Sequence, residues 1–340
     1  MEPVNILAMA GLATPMAVRV AATLSLAERA GDGGATAAQL AAETGTSEPA
    51  LECLLDHLVA IDVFAVTAGR YRPTELGAQL REDAPEGVKP LLDIGAAGGR
   101  AELAFADLLG TITTGEPAYV HRYGREFWAD IDAQPALRRS FDAQMRWRFR
   151  VQAPQIAERF DWSRFPRILD VGGGDGTVLE AILRAHPGVR GDVLDLAPSA
   201  AAAAERFAAA GLGDRAGAVP GSFFDPLPAG ADAYLLSDIL HDWDDTHARR
   251  ILESCRRAAA PAATVVVVEP VRDQGADTAI DLFMLMCFGG RERTVGRLTA
   301  LAAESGLSLR GTTPVSDGRT ALEFAPAGGD VPSGRDRYRS

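Results

Sequence analysis

The sequence predicts two folded parts: a mainly helical N-terminal part of the winged-helix kind and an α/β C-terminal part with a mostly parallel sheet. Three observations carry this. From Arg167 onward, short apolar runs alternate with helical patterns, the rhythm of parallel strands joined by crossover helices. At the head of that rhythm stands Arg167-Ile-Leu-Asp-Val-Gly-Gly-Gly-Asp-Gly-Thr177, an apolar strand closing in a glycine cluster and feeding the helical segment 178–183. Near the N-terminus, two short helical patterns precede a hairpin pattern. The expected division is 1–160, 161–327 and a disordered tail 328–340 rich in glycine, proline and charge.

A chain of 340 residues is long enough for two cores. Its net charge of -12 and pI of about 5.0 make the molecule as a whole repel phosphate backbones. Cys53, Cys255 and Cys287 have no paired spacing, which argues against a disulfide framework or zinc site and fits a reducing cytoplasm. Residues 1–13 lack the basic start of a signal peptide, and no apolar run is expected to reach membrane-spanning length. A cytoplasmic protein without a membrane partner is expected.

In chain order, residues 14–30 read as one alanine-rich helix ending at Gly31. Thr36 caps a short helix that Gly45 stops, and Ser47 caps a helix over 49–60 with Leu51, Leu54, Leu55 and Leu58 on one face. His57, among those leucines, reads as a satisfied core residue. The segments 63–66 and 70–74 flank Ala68-Gly69 as a hairpin. A DNA reader helix needs Lys or Arg for phosphates and base edges, whereas this one has none and carries Glu48, Glu52 and Asp56. Its apolar faces fit dimer contacts instead.

Residues 88–160 read as helical, with breaks expected at Gly98-Gly99 and at 115–117. Phe141, Met145 and Phe149 recur every four residues, a core stripe of which Phe141 and Met145 also suit the wall of an aromatic substrate pocket between the domains. Met284 and Phe288, on a helix over 281–288, are candidates for the same pocket. Arg146, Arg148 and Arg150 are either solvated or paired with a carboxylate.

Strands are expected over 191–195, 216–219, 231–237 and 264–268, with an antiparallel hairpin of 307–310 and 320–324 at the sheet edge. Ligands of such sheets sit outside the carboxyl ends of the strands. The glycine cluster is one such end, with backbone N–H groups free to face a ligand. It lacks the Gly-Lys-Ser/Thr of a phosphate loop, and Thr177 stands where a dinucleotide fingerprint has its third glycine or alanine. Asp195 closes the second strand and can accept two ribose hydroxyls. Ser222, Phe223 and Phe224 follow the third, as rings and a hydroxyl for a purine. His241 lies just past the fourth, where a neutral imidazole is a natural general base. Glu269 closes the fifth, and Glu292 follows the next helix. These carboxylates either orient the imidazole or pair with Arg272, Arg291 or Arg293. The five histidines show no helical ligand pair for a metal; Asp242, Asp244 and Asp245 could hold a cation but read more easily as the acidic first turn of the next helix.

Asp170-Val-Gly-Gly-Gly-Asp-Gly, Leu240-His-Asp-Trp-Asp-Asp and Gly289-Gly-Arg-Glu-Arg-Thr, in this order, resemble the class I S-adenosylmethionine-dependent small-molecule O-methyltransferases with a winged-helix dimerisation domain and a Rossmann-like domain. The resemblance covers about residues 8 to 325. The segments 13–24, Pro117-Ala-Tyr with Arg122-Tyr-Gly, and 221–228 are similar to naphthoate and salicylate O-methyltransferases of enediyne-type antibiotic biosynthesis. The resemblance implies a homodimer that uses S-adenosylmethionine without a metal, yields S-adenosylhomocysteine, and methylates a phenolic hydroxyl of a small aromatic acid. By position, His241 matches the general base, flanked by Glu269 and Glu292. Gly172, Gly174, Asp195, Leu196, Ser222, Phe223, Phe224, Ser237 and Trp243 match the cofactor site. Many relatives carry Asp at position 222, and many plant members carry Lys at 237, so these two serines bear on cofactor affinity rather than on proton transfer. C- or N-methylation is the alternative chemistry on this fold. Hydroxylation or decarboxylation, known in some members, fits poorly with a retained His241 and Glu292. A DNA-binding regulator is the alternative of another class.

Overall fold

The computed structural model describes residues 5–85 and 87–327; the tail expected to be disordered lies outside them. The chain forms two compact units, Met1–Ala106 with Tyr123–Trp147, and Asp107–Arg122 with Arg148–Ser340.

In the first unit, Thr36 and Gln39 form a reciprocal capping box on the helix Ala37–Thr44, and Gly45 ends it in a left-handed conformation. Ser47 precedes the helix Glu48–Ala60 with an extended backbone, yet its side chain caps nothing, contrary to expectation. Leu51, Leu55 and Leu58 are buried with Leu26, Leu40, Phe64 and Tyr71 in one core, and Leu54 packs at its margin. The hairpin of β1 (Phe64–Thr67) and β2 (Arg70–Pro73) turns through Ala68 and Gly69, both at positive φ. That is the two-residue turn matching strand twist.

Four further expectations for this unit need correction. The single helix over 14–30 is two, Ala13–Thr23 and Leu26–Ala30, broken where Ser25 takes a left-handed conformation and its hydroxyl accepts from Lys89 Nζ at 3.0 Å. Gly98 and Gly99 lie inside the helix Ala97–Leu103 rather than breaking it. There a Cβ at Gly99 would fall 2.0 Å from the Asp93 carbonyl oxygen, so close packing demands the glycine. His57 is half-buried, with Nε2 3.1 Å from Thr14 Oγ1, and is not a core residue. Finally, the stretch Ile6–Thr23, with a mean hydropathy of 1.5, is long and apolar enough to cross a membrane by length and composition. Gly11 and Leu12 divide it into Ile6–Ala10 and Ala13–Thr23, and Ile6, Leu7, Met9 and Leu12 are exposed.

The second unit is a seven-stranded sheet of β3 (Arg167–Val171), β4 (Arg190–Asp195), β5 (Ala216–Pro220), β6 (Ala233–Ser237), β7 (Thr264–Pro270), β8 (Leu307–Ser316) and β9 (Arg319–Pro326), in the order β5-β4-β3-β6-β7-β9-β8. The first five are parallel, and β9 joins β7 antiparallel with β8 outside it. The central β6 and β7 read as nearly unbroken apolar runs because both faces are covered. Leu169, Leu236, Val265 and Val267 enter one core with Ile251, Leu252 and Leu301. Ile168, Leu235, Val266 and Val268 enter the other with Leu179, Ile182 and Phe207. Each such side chain contributes roughly 1.5–3 kcal/mol by burial. Strand order reverses between β4 and β6 on either side of β3, the switch point outside whose carboxyl ends sheets of this kind take ligands.

Candidate active site

The loop after β3 carries Gly172, Gly174 and Gly176 at positive φ. Gly174 N–H donates to Asp195 Oδ2 at 2.9 Å and Leu196 N–H to Asp195 Oδ1 at 2.7 Å. These bonds hold the carboxylate at the end of β4 beside the glycine loop. Leu196, partly exposed, starts the helix Ala197–Ala209. Asp170 is buried beneath the loop and neither carboxylate oxygen has a hydrogen-bond partner. Burial, with the charge of Asp195 nearby, pushes it up to about 7. Ser237 Oγ, at the end of β6, is likewise buried without a partner. Orphaned acceptors and a hydroxyl around a glycine loop are what a ligand with an amino group and a ribose would satisfy, so the residues fit S-adenosylmethionine.

Past β5, Ser222 Oγ accepts from Phe224 N–H at 3.2 Å. Phe223, Phe224 and Trp243 pack edge to face with centroids 4.9 to 5.8 Å apart, and Arg250 lies over the Phe224 ring. The structure thus gathers residues of two strand ends into one aromatic group.

β6 ends in a 3₁₀ turn, Leu240–Asp242, whose His241 is buried. Glu269 Oε1, at the end of β7, accepts from Ile239 N–H at 3.1 Å and from Leu240 N–H at 2.7 Å. His241 Nδ1 lies 3.0 Å from Glu292 Oε1 and 3.6 Å from Glu269 Oε2, while Nε2 lies 3.5 Å from Asp242 Oδ1. Burial disfavours the imidazolium, but the carboxylates of Glu269, Asp242 and Glu292 outweigh it and raise His241 to about 10. Burial raises Glu269 and Asp242 despite the neighbouring His241.

Gly290, to which the sequence assigned no role, and Arg293, read there as a candidate partner of the glutamates, hold this turn. A Cβ at Gly290 would fall 2.0 Å from the His241 carbonyl oxygen, so only glycine lets the segment bearing Glu292 come this close. The buried Arg293 donates to the carbonyls of Leu240 and Trp243, each at 2.6 Å, and to Asp245 at 2.8 Å. It is not the partner of either glutamate, and Arg272 faces Asp281 instead. Arg148 meets Asp238 at 3.2 Å. His241, Glu269 and Glu292 also offer three ligand atoms within 4.8 Å of one another, a set that local spacing conceals. Here Nδ1 faces both glutamates, the arrangement of a base oriented by carboxylates.

Of the pocket candidates, Met284 is buried and Phe288 half-buried on the helix Thr278–Phe288, which packs against the 3₁₀ turn. Phe141 sits in the first unit's own aromatic group with Phe127 and Trp128, and Met145 is half-buried one turn on.

Residues 105–308 match the O-methyltransferase domain, and residues 7–83 match the O-methyltransferase dimerisation domain. The chain belongs to the O-methyltransferase family. It is 47% identical over 92% of its length, and 95% of the relative's, to the 2,7-dihydroxy-5-methyl-1-naphthoate 7-O-methyltransferase of Streptomyces carzinostaticus. It is 42% identical over 92% of its length, and 86% of the relative's, to the aclacinomycin 10-hydroxylase RdmB of Streptomyces purpurascens. Among solved structures it is similar to the O-methyltransferase NcsB1 from neocarzinostatin biosynthesis, in complex with S-adenosylmethionine and 2-hydroxy-5-methyl naphthoic acid. The TM-score is 0.91 at 45% identity, covering 96% of this chain and 100% of that one. This O-methyltransferase is therefore an S-adenosylmethionine-dependent enzyme, and its N-terminal part is the family's dimerisation domain.

Proposed function

We propose that this O-methyltransferase methylates a phenolic hydroxyl of a hydroxy-naphthoic or salicylic acid, as an aromatic polyketide-type intermediate of antibiotic biosynthesis, with His241 as general base. The observation that carries the reading is the buried His241, with Nδ1 3.0 Å from Glu292, on a turn beside the cofactor loop. When bound, S-adenosylmethionine supplies the methyl group as a sulfonium. Gly172, Gly174, Asp195, Leu196, Ser222, Phe223, Phe224, Ser237 and Trp243 would hold it.

Glu292 and Glu269 hold Nδ1, and Nε2, which lies 3.5 Å from Asp242 Oδ1, is the nitrogen we assign to take the phenol proton. The surrounding carboxylates raise His241 above an ordinary histidine, which makes it a stronger base toward a phenol near pKa 10. Glu269 and Glu292 then balance the imidazolium. Met284 and Phe288, on a helix against the base turn, would wall the aromatic ring. The exposed Ile6, Leu7, Met9 and Leu12, within or beside the dimerisation domain, would face the second copy of a homodimer. The acidic surface fits a cytoplasmic enzyme with no nucleic-acid partner.

A hydroxylase among the relatives keeps a second chemistry in view. His241 with its two glutamates favours methyl transfer, since a base for a phenol is what that step needs. Calorimetric titration with S-adenosylhomocysteine, then a tritiated-methyl assay over hydroxylated naphthoic and salicylic acids, tests the reading. Binding with label on a phenolic oxygen is expected. Label on carbon or nitrogen, or none on any of these acids, would refute it.

A further inference from the structure

We infer that Asp238 and Arg319 are a positioning pair for His241: their ion pair fixes the left-handed residue that aims the base turn. This rests on the assignment of His241 as the general base.

Asp238 is one of four non-glycine residues at positive φ among those described, with φ 53°. The others are Ser25, Asp62 and Ala68, all in the first unit. Such a conformation costs an ordinary residue about 1 kcal/mol or more and persists only where its surroundings impose it. What imposes it here is visible. Asp238 N–H donates to the Val268 carbonyl at 2.9 Å, continuing the β6–β7 ladder one residue past the strand. Its carboxylate takes Arg319 Nε at 2.8 Å and Nη2 at 2.5 Å, a two-pronged pair, and Arg148 approaches from the helix Pro135–Arg159. Both side chains of the pair are buried.

The consequence falls on the next three residues. Reversing the backbone at Asp238 turns the N–H groups of Ile239 and Leu240 toward one oxygen of Glu269, and His241 follows. Arg319 stands on β9 opposite Pro270 of β7, and Thr320 stands opposite Glu269. One ion pair therefore ties the strand beside Glu269 to the turn that Glu269 receives. Without it, Asp238 loses its reason to stay left-handed, and the imidazole loses its aim toward the substrate oxygen. Other charged groups facing His241 are Glu269 on β7, Asp242 on the same turn and Glu292 on the loop after the helix Thr278–Phe288.

The test uses Asp238→Asn, which keeps the size and the tolerance of left-handed backbone but removes the charge. Turnover is compared on a phenol of pKa near 10 and on nitrophenolic acids already ionised at assay pH, with S-adenosylhomocysteine binding measured alongside. A residue acting through the base matters only where a proton must be removed. The expected result is a loss of about tenfold or more in kcat on the protonated phenol, and a change within about twofold on the ionised one. Cofactor-product affinity should be unchanged. Introduced into His241→Ala, the same substitution should add no further loss, because the group it positions is gone. Should Asp238→Asn fold poorly, the doubly neutral Asp238→Asn/Arg319→Gln replaces it, since it leaves no buried unpaired charge between the two. Equal losses on both phenols, or an additional loss in the His241→Ala background, would overturn the proposal and leave the pair a structural one. Absence of methyl transfer by the unaltered enzyme would instead defeat the O-methylation reading itself.

Discussion

Replacing Glu292 by Gln puts a number on the base assembly. The substitution preserves shape and an oxygen for the hydrogen bond at 3.0 Å, but deletes a buried negative charge next to Nδ1. Two unit charges about 4 Å apart at an effective dielectric of about 20 interact by roughly 4 kcal/mol, an upper figure here because the amide oxygen still accepts the bond. Opposite charges at such range move a titrating group by about 1 to 3 units. Glu269 and Asp242 remain in place, so His241 stays above an ordinary histidine but falls below its present value of about 10. Kinetics should register both consequences. If His241 is the base, kcat/KM of the unaltered enzyme should rise with pH as the imidazolium gives up its proton. In Glu292→Gln the inflection should move down by about 1 to 3 units. The plateau should drop roughly 10- to 100-fold, because the imidazolium formed on proton transfer has lost a counter-charge. Tritiated-methyl initial rates from pH 6 to about 10.5 read both quantities. An inflection at the same pH as the parent would refute the assignment of Glu292 as the carboxylate that raises and orients His241.

Other substitutions test other parts. His241→Ala should cost about 10²- to 10⁴-fold in kcat with unchanged S-adenosylhomocysteine affinity by calorimetry; parental turnover would remove His241 from the chemistry. Asp195→Ala breaks the bonds to Gly174 and Leu196 and removes the proposed ribose acceptor, so cofactor-product affinity should fall roughly 10- to 100-fold, and an unchanged Kd would exclude that role. Gly290→Ala places a Cβ 2.0 Å from the His241 carbonyl, so thermal denaturation should show a loss of about 1–3 kcal/mol together with lower kcat; a parental melt would mean the loop yields freely. Asp170 titrates near 7 when folded and near 4 when unfolded, so its charge opposes folding increasingly from about pH 4, and in full above about 7. Asp170→Asn should therefore stabilise the ligand-free protein at pH 8 by about 2 to 4 kcal/mol and do so far less at pH 4.5; equal effects at the two pH values would contradict it.

The sheet was readable because its strands are covered on both faces, which forces Val265 to Val268 to be apolar without interruption. The positions of Asp195, Glu269 and His241 at or just past strand ends are legible for a related reason: there the apolar run stops. Periodicity says nothing about what a glycine is for. Gly98 and Gly99 look like a helix end, yet they serve a close approach within a helix. Nor does it reveal partners distant along the chain. Arg319 reaches Asp238 across 81 residues, and Arg293 spends its donors on main-chain carbonyls, a role with no local signature. Ser25, left-handed between two alanine-rich helical stretches, is hidden because nothing around it breaks the helical pattern.

The placing of β9 bears on how the enzyme comes into being. It follows β8 in the chain but occupies the inner position, between β7 and β8. As the polypeptide leaves the ribosome, β8 emerges with no neighbour to pair with and must wait until β9 slots in along β7. Arg319 arrives with that same strand. A nascent chain that stops short of it already owns its glycine loop, Asp195 and His241, but not the partner that pins Asp238. On the proposed positioning role, the turn that carries His241 thus lacks its anchor until the last strand of the sheet is inserted.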